Sequence, residues 1–408
     1  MPSLKLHVSE DGLRREIRSN GELPDLFYEI HPRAGASAPE FDTGDFALIA
    51  MLPVAMHTMT DLHAEFEVDS TLLDGLDHYQ DVWHAWRPDI FKKKIRISSD
   101  GEYSRAPNGG RTPSAVVAFS SGLDSTFTLS RHVKKEVGRA IRDVRSAVMV
   151  HGFDMPLDAT EGFETLAQNG AAICAELGVG LVTVKTNWRS IISNWEMTFG
   201  TGLASVVHQF SKAHDIALIA TEESYANSFP VWGNSFWTDR FFSSSALKIE
   251  SDGGAYDRID RARYIGRYRE LIPHLRVCWM GPRNGENCGT CPKCILTKLN
   301  FLAAGVAEPW PFPQGLTPEL VSKMPLRTRW QKQFLELILT KIESNPTVDA
   351  SIVAAVAARL DRSAQPAKRF VQGLTSILRS PFGAITSQPN KPPSEAKHAE
   401  ASAPLAAE

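Results

Sequence analysis

From residue 114 onward the chain alternates short apolar runs with longer amphipathic stretches, and no other feature restricts its fold so strongly. Ala115 to Phe119, Ala147 to His151, Leu181 to Lys185 and Ile216 to Thr221 are too short for helices. Helical spacing between them predicts helices over about 125–139, 161–177 and 200–213. Strands that are apolar throughout need cover on both faces, and a helix-sized segment follows each one. The pattern predicts an α/β core, a doubly wound parallel sheet.

The flanks read differently. Residues 1–110 carry strand-like stretches, Leu26 to Ile30 and Phe46 to Ala50, and a helix-like run from Leu72 to Trp86, predicting an N-terminal α+β domain. Turn formers close it, first Ser98-Ser99-Asp100-Gly101 and then Ala106-Pro107-Asn108-Gly109-Gly110. After the core, residues 306–380 predict a helical C-terminal extension: Thr317-Pro318 is a cap and first turn, and Trp330 to Ile342 and Ser351 to Leu360 have helical spacing. Residues 381–408, rich in Pro, Ala, Ser, Lys and Glu without periodicity, predict a disordered tail. The expected division is therefore 1–110, 111–305, 306–380 and 381–408, which suits a chain of 408 residues with 43% apolar content.

Charge narrows the class of function. Lys and Arg total 44 against 47 Asp and Glu, so the net charge of -3 supplies no general field for nucleic acid or a membrane surface. Lys92-Lys93-Lys94 is the one small basic patch, and a solvated strand edge explains it equally well. Charged residues follow Met1 to His7 in place of an apolar signal core, and no stretch reaches spanning length. The expectation is a cytoplasmic protein.

The first core strand runs directly into Ser120-Ser121-Gly122-Leu123-Asp124-Ser125-Thr126, and an apolar-periodic helix follows through Leu129 and Val133. A strand, tight loop and helix in that order present backbone N–H groups and hydroxyls at the positive end of a helix dipole, where phosphate is stabilised without a buried cation. Gly122 lets the backbone approach the phosphates; Ser120, Ser125 and Thr126 donate hydroxyl hydrogen bonds; Asp124 caps the turn or binds Mg²⁺. The competing reading is an ordinary strand-to-helix connection with Asp124 and Ser125 as caps. The chain has no GxxxxGK[ST] sequence, and no GxGxxG follows the first core strand, which disfavours P-loop kinases, GTPases and the dinucleotide fold.

Four of the five cysteines crowd into a C-x9-C-x2-C-x2-C pattern at Cys278, Cys288, Cys291 and Cys294. Four thiolates close a tetrahedral Zn²⁺ shell with no open position, which makes such a site structural. An iron–sulfur cluster is the rival occupant. Cys174 stands apart in Ala171-Ala172-Ile173-Cys174-Ala175 and reads as a small core residue.

The loop resembles the S-G-G-x-D-S loop of the N-type ATP pyrophosphatases, the PP-loop superfamily, with Ser121 where Gly is usual. Loop and cysteines together, over roughly residues 114–305, look like the 7-cyano-7-deazaguanine synthase family. The resemblance implies an adenine nucleotide alpha hydrolase-like fold, ATP at Ser120 to Thr126 with Asp124 and Ser125 at the chemistry, and zinc at the four cysteines. It implies an ATP-dependent ligase: a carboxylate is adenylated, ammonia displaces AMP to give an amide, and a second activation dehydrates the amide to a nitrile. Family-like proteins in bacterial anti-phage defence loci extend the implied partners from a deazapurine-like small molecule to a protein or nucleotide target, within a homodimer or a defence complex.

Other residues are candidates by position, because ligands of a doubly wound sheet bind beyond the carboxyl ends of its strands. These are His151-Gly152-Phe153-Asp154, Asn187-Trp188-Arg189 and Glu222-Glu223-Ser224. Asp154 or Glu222 suits Mg²⁺ or a purine edge, Arg189 a substrate carboxylate, and Arg258 or Arg261 the charge developing at an α-phosphate. Each reads equally as a loop cap or, for Arg258 and Arg261, as a solvated helix face. Two further functions stay open: a tRNA-thiolating enzyme, for which Cys174 is the one spare thiol, and a non-catalytic nucleotide-binding component of a larger assembly.

Overall fold

The computed structural model describes residues 2–361 apart from 21, 22, 34, 107–112, 228–230, 279, 282, 327 and 328. The tail expected at 381–408, the end of the helical extension and the turn at Pro107 to Gly110 lie outside the described residues.

The chain opens with three antiparallel strands, β1 (Ser3–Val8), β2 (Arg14–Ser19) and β3 (Leu26–Pro32). Helix α1 (Asp45–Thr58), strand β4 (Leu62–Asp69), helix α2 (Ser70–Trp86) and strand β5 (Ile97–Tyr103) follow. Ser98-Ser99-Asp100-Gly101, expected as turn formers, lie inside β5, where parallel pairing with β4 holds them extended. The strand expected at Phe46 to Ala50 is part of α1. Its apolar run continues to Met56 and is buried on every side, so neither a period of two nor an amphipathic stripe marks it. By contrast α2 has a one-sided apolar face and a cap, Asp69 accepting from the N–H groups of Thr71 and Leu72.

The core then alternates as its periodicity predicts: β6 (Ser114–Ala118), α3 (Leu123–Val133), β7 (Asp143–His151), α4 (Thr160–Glu176), β8 (Gly180–Thr186), short α5 (Trp188–Ile191), α6 (Trp195–His208), β9 (Ile216–Ala220), β10 (Lys248–Asp252) and α7 (Arg258–Ile265). Beyond it lie α8 (Pro292–Ala303), α9 (Pro318–Lys323), α10 (Arg329–Ile342) and a helix over 350–361.

All ten strands join one sheet in the order β10-β9-β6-β7-β8-β3-β2-β1-β4-β5. The core half, β10 to β8, is parallel throughout. The whole sheet is mixed because β8 pairs antiparallel with β3, Tyr28 opposite Thr186 and Ile30 opposite Val184. Residues on β6 alternate between two cores. Val116 and Ala118 face α1, α2 and α6, whereas Ala115 and Val117 face α3, α4 and α7. Buried Trp188 fixes the first layer, its indole N–H donating to the Ala50 carbonyl at 2.9 Å. A third cluster gathers α8, α10 and the 350–361 helix around Leu299, Leu335, Ile338 and Val356. Among the described residues no helix is long and apolar enough to cross a membrane.

The position of the site follows from the strand order. The chain builds outward from β6 to β7 and β8, then returns to the other side of β6 with β9 and β10. Connections after β6 and β9 therefore leave in opposite directions and open a crevice between them, the place where doubly wound sheets hold ligands.

Candidate functional site

The segment Ser120 to Thr126 occupies that crevice. Gly122 is the N-cap of α3 in extended conformation, and no side chain caps the helix. Helices α2, α6, α7 and α9 are capped by a side-chain oxygen, of Asp69, Asn194, Asp257 and Thr317, whereas α1, α4, α5 and α8 share the lack of a cap with α3, which differs from them in opening at the crevice. Helix α3 thus keeps unsatisfied N–H groups at its positive end, at the mouth of the crevice. Ser125 pins the loop: its hydroxyl accepts from the Ser120 N–H at 3.2 Å and lies 3.2 Å from the Ser120 hydroxyl. Leu123 and Thr126 are buried beneath. Ser121 has φ 58°, in the left-handed region that favours glycine, and its buried hydroxyl has no hydrogen-bond partner among the described residues. A Cβ on Gly170 of α4 would come within 3.0 Å of that hydroxyl, so the Ser121 side chain points down into the core.

Asp124 is held by two arginines. Arg261, 1% exposed, donates to Asp124 Oδ1 at 2.5 Å, to the Thr221 carbonyl at 2.6 Å, to the Thr221 hydroxyl at 3.0 Å and to the Gly253 carbonyl at 3.2 Å. It laces together the ends of β6, β9 and β10. Arg258 lies 3.5 Å from both Asp124 Oδ2 and Glu223 Oε1. Burial pushes the Asp124 carboxyl up, but the Arg258 and Arg261 guanidiniums outweigh it and hold the group below the usual carboxylate range. Glu223 goes the other way: burial pushes its carboxyl up to about 7, Arg258 opposes, and Glu222 and Asp124 add to the rise. Glu222 accepts from the Trp232 indole at 2.8 Å. The solvated helix face expected as the alternative for Arg258 and Arg261 is not what forms.

The four cysteines converge. Their sulfurs all lie within 4.8 Å of one another, with Cys278–Cys288 at 3.4 Å, Cys278–Cys291 at 3.7 Å and Cys288–Cys294 at 3.9 Å. A tetrahedral ion with Zn–S bonds of about 2.3 Å needs sulfur–sulfur edges of about 3.8 Å. The donor set fits one tetrahedral metal ion such as zinc. An iron–sulfur cluster would divide the four thiolates among two or four irons and spread the sulfurs further apart. The local sequence directs the sulfurs inward. Cys291 is the N-cap of α8 with Pro292 in its first turn, Gly289 turns with φ 73°, and a Cβ on Gly281 would sit 2.6 Å from the Cys278 sulfur. Asn287 accepts from the N–H groups of Val277 and Cys278 and donates to the carbonyls of Leu275 and Pro311. Buried Lys298 donates to the Gly289 carbonyl at 2.8 Å.

Cysteine cluster and loop are joined by a residue that sequence reasoning missed. Arg276, two positions before Cys278, donates its backbone N–H to the Ser121 carbonyl at 2.9 Å. Its guanidinium is buried, with Nε lacking a hydrogen-bond partner among the described residues. Lys293, between Cys291 and Cys294, adds to the positive charge acting on Asp124. Nothing in the sequence flags Arg276, because its part is played by the backbone.

Other sequence candidates are used up elsewhere. His151 is stacked on Phe163 at 4.3 Å, with Nε2 2.9 Å from the Pro156 carbonyl, as a buried strand-end histidine. Arg189 donates to the Phe153 carbonyl at 2.5 Å and lies 4.5 Å over the Trp195 ring. Asn187 bridges to the backbone of Asp25 and Phe27. Asp154 is exposed, and Lys93 and Lys94 pair with Asp61 and Asp81. No family model, curated protein or solved structure matches this chain.

Proposed function

We propose that this chain is an ATP-dependent ligase of the PP-loop kind, resembling 7-cyano-7-deazaguanine synthase, which adenylates a substrate carboxylate or amide in the cytoplasm. The core would then be an adenine nucleotide alpha hydrolase-like fold. The observation that carries the reading is the uncapped N-terminus of α3 at the β6/β9 crevice, with Arg258, Arg261 and Lys293 acting on the same loop. Terminal phosphates of ATP would lie on the α3 amides and the Ser120 and Ser125 hydroxyls. Asp124, Glu222 and Glu223 are the oxygen donors available to the accompanying Mg²⁺. A substrate oxygen attacking the α-phosphorus releases pyrophosphate, and a nucleophile such as ammonia then displaces AMP. Zinc at the four cysteines would hold Arg276 and Lys293 against the loop without entering the reaction.

The substrate is a deazapurine-like carboxylate or a protein group, and an anti-phage defence setting suits the segments beyond 111–305. A thiolating enzyme is less well supported: Cys174 is 1% exposed, and burial pushes its thiol up to about 12, which leaves it a poor nucleophile.

The test is to incubate the full chain with labelled ATP, Mg²⁺, ammonia and candidate carboxylates and to measure AMP and pyrophosphate. Asp124→Asn should slow their release by at least about 100-fold. Release that Asp124→Asn leaves unchanged defeats the proposal. ATP binding without turnover on any acceptor would favour a non-catalytic component.

A further inference from the structure

The two arginines that reach Asp124 are bound very differently. Arg261 spends its guanidinium on four short contacts with Asp124, Thr221 and Gly253 and is fixed in the frame of the crevice. Among the described residues Arg258 makes two ion pairs, both of 3.5 Å, longer than the 2.7–2.9 Å typical of a charge-assisted hydrogen bond. What holds its plane is an aromatic face. Phe334 of α10 lies 4.8 Å from the Arg258 guanidinium, and Phe334 and Leu337 line the same small cavity as Glu222, Glu223 and Arg258. A ring against one face keeps water off that face and leaves the N–H edge pointing at Asp124 and Glu223.

We propose that Arg258 contacts the α-phosphate of bound ATP, and that Phe334, supplied by the C-terminal helix α10, is the positioning residue that holds it there. This rests on the ATP reading above. The α3 amides would serve the terminal phosphates, whereas Arg258 stands on the Glu222–Glu223 side of the crevice, where the α-phosphate would then lie. Its loose ion pairs are the ones a phosphate can replace, because the guanidinium fork matches two phosphate oxygens. During adenylation the carboxylate oxygen bonds to the α-phosphorus, the bond from that phosphorus to the bridging oxygen breaks, and pyrophosphate leaves with the electron pair. Charge gathers on the α-phosphate oxygens that Arg258 meets. The C-terminal extension thereby completes the site.

Calorimetry on the full chain with ATP and Mg²⁺, and separately with inorganic pyrophosphate, tests this. Arg258→Met should weaken ATP by about 10-fold or more and pyrophosphate by less than about 2-fold. Phe334→Leu, which keeps an apolar side chain in the α8–α10 contact, should weaken ATP by about 3-fold with pyrophosphate unchanged, and Phe334→Tyr should restore it. A merely structural role for Phe334 would not move the ratio of ATP to pyrophosphate affinity. Unchanged ATP affinity in either variant, equal losses for both ligands, or failure of Phe334→Tyr to rescue overturns the proposal alone. A wild-type chain that does not bind ATP, or binds ATP but not pyrophosphate, overturns the reading of the loop and takes this proposal with it.

Discussion

At the scale of single residues the crevice is a balance of charges under restricted solvation. Glu223 titrates near 7 in the folded chain against an ordinary 4.5, so between those values the folded state binds the extra proton. Stability from this group is present at low pH and is lost as pH rises through that window, by up to about 1.4 kcal/mol per unit. Glu223→Gln removes the loss. Its unfolding free energy relative to wild type should therefore climb between pH 5 and pH 8, by up to roughly 3 kcal/mol, as measured by urea titration at each pH. Parallel profiles would sink this prediction. The difference matters more than either curve, because burial also pushes Asp239 up to about 7 and Asp45 up to about 6. Much at this scale was legible: the loop serines and Asp124 lie where a strand–loop–helix pattern puts them. Ser121 shows what was not. Its left-handed φ explains why glycine suits that position, but a backbone angle leaves no trace in a residue that adopts it at a cost of about 1 kcal/mol.

At the scale of elements, periodicity located the core strands and helices but failed at α1, where burial on all sides erases the amphipathic signal. The cysteine spacing was fully informative, because ligation requires sulfurs at one point and short C-x2-C steps achieve it. Its link to the loop through Arg276 was not legible, since backbone N–H groups are common to every sequence. That link has a measurable result. The chain should hold one zinc ion per molecule, and stripping it with a chelator should remove about 4 kcal/mol at metal concentrations a thousandfold above the dissociation constant. Pyrophosphate affinity should fall as well, because the Arg276 to Ser121 hydrogen bond depends on the extended segment that carries Cys278. Cys291→Ser should reproduce both effects, and a melting temperature indifferent to the chelator would contradict the argument.

At the scale of the whole molecule, the seam between β3 and β8 merges the segment before the Pro107 region with the α/β core. Tyr28 on that seam is buried and bonds Ser205 of α6 at 2.8 Å, so the packing as well as the sheet crosses it. Unfolding in urea, followed in parallel by far-ultraviolet circular dichroism and tryptophan fluorescence, should give coincident curves. Two resolved transitions would mean that residues 1–110 and 111–305 unfold separately. Pairing across such a distance was invisible in the sequence, where register leaves a mark only between neighbours joined by a turn. The seam also sets an order of events during synthesis. Tyr28 meets Thr186, which the ribosome adds 158 residues later. At about 5–20 residues per second the open edge of β3 waits roughly 8–30 seconds for its partner. For that interval the newborn chain offers an unpaired strand to whatever it meets, so yield in the cell should depend on chaperones that shield its first hundred residues.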